Sequence, residues 1–390
     1  MSGAASALPG ASRLPVPGAE RGGGPFRVMV VDDSAVIRGL LVRALESDQQ
    51  IQVIASAGNG SMALSALERH DAEIVVLDIE MPVMDGLTAL PRIIAARPGV
   101  KVIIASTLTR RNADISLKAL AAGAADYITK PGASALTSAD EFKRELLAKV
   151  KALGEARRRG AGSGAAAPAS PRASAAVLPK TFAPAPPRRI VLRPVSQAPV
   201  AALAIGSSTG GPQALFAVLG ALRGRIAQPI FVTQHMPATF TTILAEHIGR
   251  VSGWPSSEAV DGEKVQPGRV YIAPGDYHMT IDGRSGAERT LRLSKAPAEN
   301  FCRPSVDPML RSLAHAYGAN LLAVILTGMG QDGLKGGEAV AAAGGTLLAQ
   351  DEATSVVWGM PGAVALAGLC SAVLPLGEIG TGIARLAARS

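Results

Sequence analysis

Asp32 and Asp33 follow the apolar run FRVMVV, Asp78 closes EIVVLD, Ser106 closes KVIIAS and Lys130 follows DYIT. Three carboxylates gathered at one place repel unless a hard divalent cation sits among them, and an all-oxygen donor set selects Mg²⁺. A lysine and a hydroxyl beside them suit a phosphoryl group carried on a carboxylate. Taken singly, Asp32 or Asp33 could be a helix N-cap and Lys130 a solvated surface residue. The set points to a site because its members fall at the ends of different apolar runs. Further along, Gly206-Ser207-Ser208-Thr209-Gly210 fits the G-x-S-x-G elbow. There a sharp strand-to-helix turn presents a serine, and the helix N-terminus favours developing negative charge. An activated serine needs a base, and the base an orienting acid. His235 ends PIFVTQ, with His278 its competitor; Asp332 follows LLAVILTGMGQ, with Asp276 and Asp307 as alternatives.

These positions converge only if the apolar runs are strands of parallel sheets, whose following loops share one edge. From Phe26 to Ala152, five such runs alternate with five helical patterns, the last expected from about Ala139 to Ala152. That alternation predicts a five-stranded parallel sheet covered on both faces. Residues 153–199 are dominated by Ala, Pro, Arg, Gly and Ser and read as a linker; residues 1–25 read as a disordered extension. From Val200 to the end, βα alternation resumes with one antiparallel hairpin, HMTID then TLRLS, which predicts a second, larger, mostly parallel α/β sheet. The order serine, histidine, aspartate differs from that of α/β-hydrolases, so the elbow does not imply that fold.

VVDDS, LDIEMPVMDG, the serine of IIAST and YITKPG resemble the motifs of response-regulator receivers over most of Phe26 to Ala152. The resemblance implies a flavodoxin-like fold and phosphorylation on Asp78. It further implies Mg²⁺ held by Asp32, Asp33 and Asp78, Ser106 as the hydroxyl switch, and Lys130 on the phosphoryl group. IGSSTGGP, TQHMP, YIAPGDYHM, RPSVD, ILTGMGQDG and QDEATSVVWGMP resemble the catalytic domain of chemotaxis-type protein-glutamate methylesterases, the CheB family, over nearly all of Val200 to Ala388. This second resemblance implies Ser208 as nucleophile, His235 as general base, Asp332 as its partner and the Met329 backbone amide at the oxyanion. The implied reaction is hydrolysis of glutamyl methyl esters, and deamidation of glutamines, on methyl-accepting chemoreceptors. A chemotaxis histidine kinase would be the phosphoryl donor, and no cofactor would serve the ester chemistry. Three departures stand out: Ser207 replaces a common alanine, Cys302 a common histidine, and the linker and N-terminal head are long for the family, which implies looser interdomain coupling.

The chain has 390 residues, 48% apolar and 3% aromatic, with a formal charge of +8. Such charge raises nucleic acid as a partner, but Lys151 to Val200 alone holds nine Lys and Arg against one Glu, leaving thirty of each sign elsewhere. Neither folded region is basic, and no small C-terminal domain with a Lys- and Arg-rich recognition helix follows. No nucleic acid is expected, and at most weak peripheral contact of the basic segment with a membrane surface. Two cysteines build no disulfide framework, and there is no spanning segment or secretory signal, so a cytoplasmic protein is expected; the second resemblance further implies recruitment to membrane chemoreceptor arrays. The alternatives are a non-catalytic binding module on the same fold and a hydrolase of a different ester.

Overall fold

The structure is a computed structural model that describes residues 24–130, 136–162, 190–283 and 288–388. The first region contains β1 (Phe26–Val31), α1 (Ala35–Glu46), β2 (Ile51–Ala57), α2 (Gly60–Arg69), β3 (Ile74–Asp78), α3 (Gly86–Ala96), β4 (Lys101–Ser106), α4 (Arg110–Ala121), β5 (Asp126–Thr129) and α5 (Leu136–Gly162). Its strands pair in the order β2-β1-β3-β4-β5, all parallel. The reversal of order lies between β1 and β3, where a ligand crevice is expected. Helix starts follow local chemistry: Ser34, Asn59, Asp85 and Thr109 each accept a hydrogen bond from an amide of the first turn.

The helix expected to end near Ala152 runs ten residues farther. Gly154 weakens the helical pattern in the sequence, but a Cβ there would lie 2.4 Å from the Phe26 ring, so close packing explains the glycine. Arg157 and Arg158, counted above as linker charge, fold back along α5. Arg158 grips buried Glu73 through two hydrogen bonds of 2.7 and 2.8 Å. Burial works against the Glu73 charge, yet Arg158 and Arg27 hold its carboxyl down at about 2. Residues 1–23 and 163–189, most of the expected extension and linker, lie outside the described residues. Residues 190–199 lie against the second domain: the Arg193 amide donates to Cys370 O, and Ser196 Oγ to Ala319 O.

The second region contains β6 (Ala202–Ser207), α6 (Gly211–Leu222), β7 (Ile230–Gln234), α7 (Ala238–Ser252), β8 (Ser256–Glu258), β9 (Val270–Ile272), β10 (His278–Asp282), β11 (Thr290–Ser294), α8 (Val306–Tyr317), β12 (Leu321–Ile325), α9 (Leu334–Ala342), β13 (Thr346–Gln350), α10 (Met360–Leu366), β14 (Ala372–Leu374) and α11 (Leu376–Ala387). Seven strands form a parallel sheet in the order β14-β13-β12-β6-β7-β9-β8, and β10 and β11 form the expected hairpin as a separate antiparallel pair. Here the order reverses between β6 and β12. The five inner strands are wholly buried, as parallel strands under helices on both faces must be, while the edge strands β8 and β14 are only partly so.

The two regions share one apolar core. Tyr127 of β5 stacks on Phe240 of α7 with ring centroids 4.5 Å apart, and Leu117 and Leu120 of α4 belong to the same buried cluster as Ile243 and Leu244. Gln213 of α6 donates to the carbonyls of Leu120 and Ala124, and Arg110 pairs with Glu246 at 2.6 Å. No helix among the described residues is long and apolar enough to cross a membrane.

Candidate active site

At the first switch point, β1 delivers Asp32 and Asp33 and β3 delivers Asp78. Oxygen atoms of the three carboxylates lie within 4.8 Å of one another. Lys130, just past β5, places its ammonium 2.7 Å from Asp32 Oδ2 and 2.8 Å from Asp78 Oδ1. The contact with Asp32 is one of charge only, since this buried oxygen takes no hydrogen bond of good geometry. Burial pushes the Asp78 carboxyl up, Lys130 opposes this, and the Asp32 charge adds to it. An oxygen-only cluster with an under-satisfied buried oxygen and a destabilised carboxylate fits a hard divalent cation. Ser106 is buried at the end of β4, its hydroxyl facing the Asn112 carbonyl of α4 at 3.4 Å.

At the second switch point, β6 leads into Ser208 and β12 into Thr327-Gly328-Met329. The Ser208 amide donates to Thr327 O, and its carbonyl accepts from Gly211 N and from Gln234 Nε2. The turn is tight enough that a Cβ on Gly211 would meet Gln234 Oε1 at 1.9 Å. The two neighbouring hydroxyls differ sharply. Ser207 is fully buried and donates to Gln234 Oε1 at 2.7 Å, whereas Ser208 is half-buried and its hydroxyl makes no hydrogen bond among the described residues. The Met329 amide likewise donates to no described group, although the Gly328 amide beside it is bound to Val357 O.

His235 follows β7 directly, one position beyond the β6–β7 pair Ser207 and Gln234. Its Nε2 meets Asp332 Oδ2 at 2.7 Å, while Nδ1 faces the Cys302 thiol at 3.3 Å. Burial favours the neutral ring, but the Cys302 and Asp332 contacts outweigh it and hold the imidazolium up at about 10. Nδ1 is the nitrogen left for a nucleophile, and in this arrangement the thiol occupies it.

Asp332 is 1% exposed and ringed by donors: Ser305 Oγ, Asn300 Nδ2 and the amides of Val306, Asp307 and Gly333. Burial opposes its charge, yet His235 and these donors hold the carboxyl down at about 2. The competitors named from the sequence are otherwise engaged. Asp307 accepts from the Gly333 and Gly336 amides at the start of α9, so the two aspartates cross-cap: Asp332, just before α9, serves α8, and Asp307, in α8, serves α9. Asp276 is exposed and paired with Arg303, and His278 bridges Pro297 O and Ser305 N. Three contributors escaped the sequence reading: Gln234, Ser305 and Asn300, whose amide joins Asp307 to Asp332. Gln234 and Ser305 lie within the quoted blocks TQHMP and RPSVD, whereas Asn300 lies in none of them.

The first domain lies over this edge. Thr209, next to Ser208, donates its hydroxyl to Asp126 Oδ2 of β5 at 2.6 Å. Val357 joins the apolar cluster built by β1, β4, β5 and α5, with Met329 and Val356 packed against it. Arg144 of α5 stands over the Phe301 ring, and Arg159 reaches Glu352.

The response regulator receiver domain family matches residues 28–139, and the CheB methylesterase family residues 203–383. Over 93% of its length the chain is 61% identical to protein-glutamate methylesterase/protein-glutamine glutaminase 1 of Paramagnetospirillum magneticum, covering 97% of that protein. It is 60% identical to the protein-glutamate methylesterase/protein-glutamine glutaminase of Azospirillum brasilense, with 95% and 94% of the two chains covered. Among solved structures, the Thermotoga maritima CheB methylesterase catalytic domain is 42% identical, with a TM-score of 0.47, 48% of this chain covered and all of that one. With the two sheets in the order receiver then hydrolase, and identity running through both, the chain belongs to the protein-glutamate methylesterase/protein-glutamine glutaminase family.

Proposed function

We propose that this chain hydrolyses glutamate methyl esters on chemoreceptors with Ser208, His235 and Asp332, and that its receiver restrains the reaction until Asp78 is phosphorylated by a chemotaxis histidine kinase. The observation that carries this reading is the buried His235–Asp332 pair beside an unbonded Ser208 hydroxyl, under loops that the receiver grips. Ser208 Oγ gives its proton to His235 Nδ1 and attacks the ester carbonyl. Asp332 stabilises the imidazolium, and the Met329 amide donates to the oxyanion. The imidazolium then protonates the departing methanol, and water, deprotonated by the same nitrogen, releases glutamate from the acyl-serine. With a glutamine substrate, ammonia leaves instead.

For Nδ1 to serve Ser208, the thiol must yield it, and a base works best with a pKa near the working pH. Removing the thiol should therefore bring the neutral imidazole within reach of lower pH. Cys302→Ala is expected to move the acid limb of the kcat/KM profile for a small ester down by roughly one pH unit. An unmoved limb would leave Asp332 alone as the group that holds the charge.

Phosphorylation at Asp78 acts on β5 from its far end. Lys130 follows that strand and meets Asp78, while Asp126 and Tyr127 at its start hold Thr209 and Phe240. Mg²⁺ bound by Asp32, Asp33 and Asp78 would offset the charge brought by the phosphoryl group. Once Lys130 turns to the phosphoryl oxygens, β5 no longer favours the closed docking. Methanol release from methylated receptor is expected to rise about 5- to 150-fold when the full chain is phosphorylated by a small phosphoryl donor, and not in Asp78→Asn. Equal rates would remove the regulatory part; absence of methanol in both states would remove the esterase reading.

A further inference from the structure

Glu299 and Cys302 exchange backbone hydrogen bonds in both directions across a two-residue turn. Its central residues, Asn300 and Phe301, both have positive φ, 52° and 63°. Such a turn takes asparagine readily at its first central position, but the second normally holds glycine. A bulky aromatic residue there is strained and persists only where its surroundings fix it. They do so here: Asn300 is bonded to Asp332, Cys302 touches His235, and Glu299 is paired with Arg311. The result is a phenyl ring, 86% exposed, on a rigid tip between the residues that touch the acid and the base. In the closed chain its one aromatic or cationic neighbour among the described residues is Arg144 of the receiver, 5.2 Å from the ring centre.

We propose that Phe301 is the aromatic anchor for the substrate polypeptide, taking an apolar side chain that flanks the esterified glutamate, with Arg144 of the receiver beside the still-open ring in the closed state. This rests on the esterase reading above. A methyl ester is small and offers few atoms to bind, so affinity for a receptor must come from side chains at the rim. Exposed aromatic residues on rigid supports are the usual source of such energy.

The test uses the phosphorylated full chain on two substrates, a methylated receptor fragment and p-nitrophenyl acetate, which needs the triad but no rim. Phe301→Ala should raise KM for the receptor fragment about ten-fold or more, leaving p-nitrophenyl acetate hydrolysis essentially unchanged. Phe301→Trp should restore the low KM, and Arg144→Ala should not raise it. An unchanged receptor KM in Phe301→Ala overturns the proposal. So does a parallel fall with p-nitrophenyl acetate, which would make Phe301 a prop of the triad. An equal rise in Arg144→Ala would assign the effect to domain docking. Wild-type protein that cleaves p-nitrophenyl acetate but frees no methanol from receptor would sink the substrate reading, and the anchor with it.

Discussion

Ser208→Ala is expected to slow methanol release from methylated receptor by about 10⁴- to 10⁶-fold, because the members of a triad act as one unit. Ser207→Ala is the informative control, since the two hydroxyls are adjacent in sequence and opposite in circumstance. Ser207 is fully buried against Gln234, and that glutamine also holds the Ser208 carbonyl. Removing the Ser207 hydroxyl strands Gln234 Oε1 and should lower stability by about 1–3 kcal/mol while sparing most of the rate. A fluorophosphonate label retained in Ser207→Ala and lost in Ser208→Ala would agree. If Ser207→Ala showed the larger loss, the nucleophile would have to be reassigned.

The second large effect is expected at the acid. Asp332→Asn should lower kcat by about 10⁴-fold, since an amide no longer fixes the imidazole tautomer or stabilises its charge. It should also destabilise the fold, in contrast to Ser208→Ala, because the new NH₂ faces backbone amides that the carboxylate accepted. Breaking a buried charged pair typically costs 3–5 kcal/mol, so roughly 6–20 °C in Tm is expected for domains of this size. The pH dependence follows from both partners. The lowered Asp332 contributes stability above its ordinary 3.8 and loses it as pH falls through about 2. The raised His235 contributes fully below 6.5 and loses it as pH rises through about 10. Between those limits Asp332→Asn should lie below wild type in thermal melts. Equal melting temperatures would show that the donors around Asp332 relax at little expense.

Most of the site was legible because parallel sheets put the ends of distant strands together. Asp32, Asp33, Asp78, Ser208 and His235 all follow from finding apolar runs and looking one or two residues past them. Asn300 and Cys302 were not legible as neighbours of the triad, since they reach it on a turn with two positive φ values that composition does not announce. The Thr209–Asp126 bond depends on how two separately folded sheets dock, and no local pattern encodes that. The last ten residues of α5 were missed for a different reason. GEARRRGAG has the glycine and arginine of a tether, and its order comes from Glu73, some 85 residues earlier in the chain.

The cross-capping of α8 and α9 has an evolutionary corollary. One negative charge both steadies the His235 imidazole and closes the exposed amides of a helix, while its partner Asp307 does the second task for the neighbouring helix. A descendant that abandoned catalysis could discard the Ser208 hydroxyl with little harm to its architecture, but not the Asp332 carboxylate. Folded, inactive offshoots of such a domain would therefore be expected to lose the serine first and to retain the aspartate long after it had any reaction to assist.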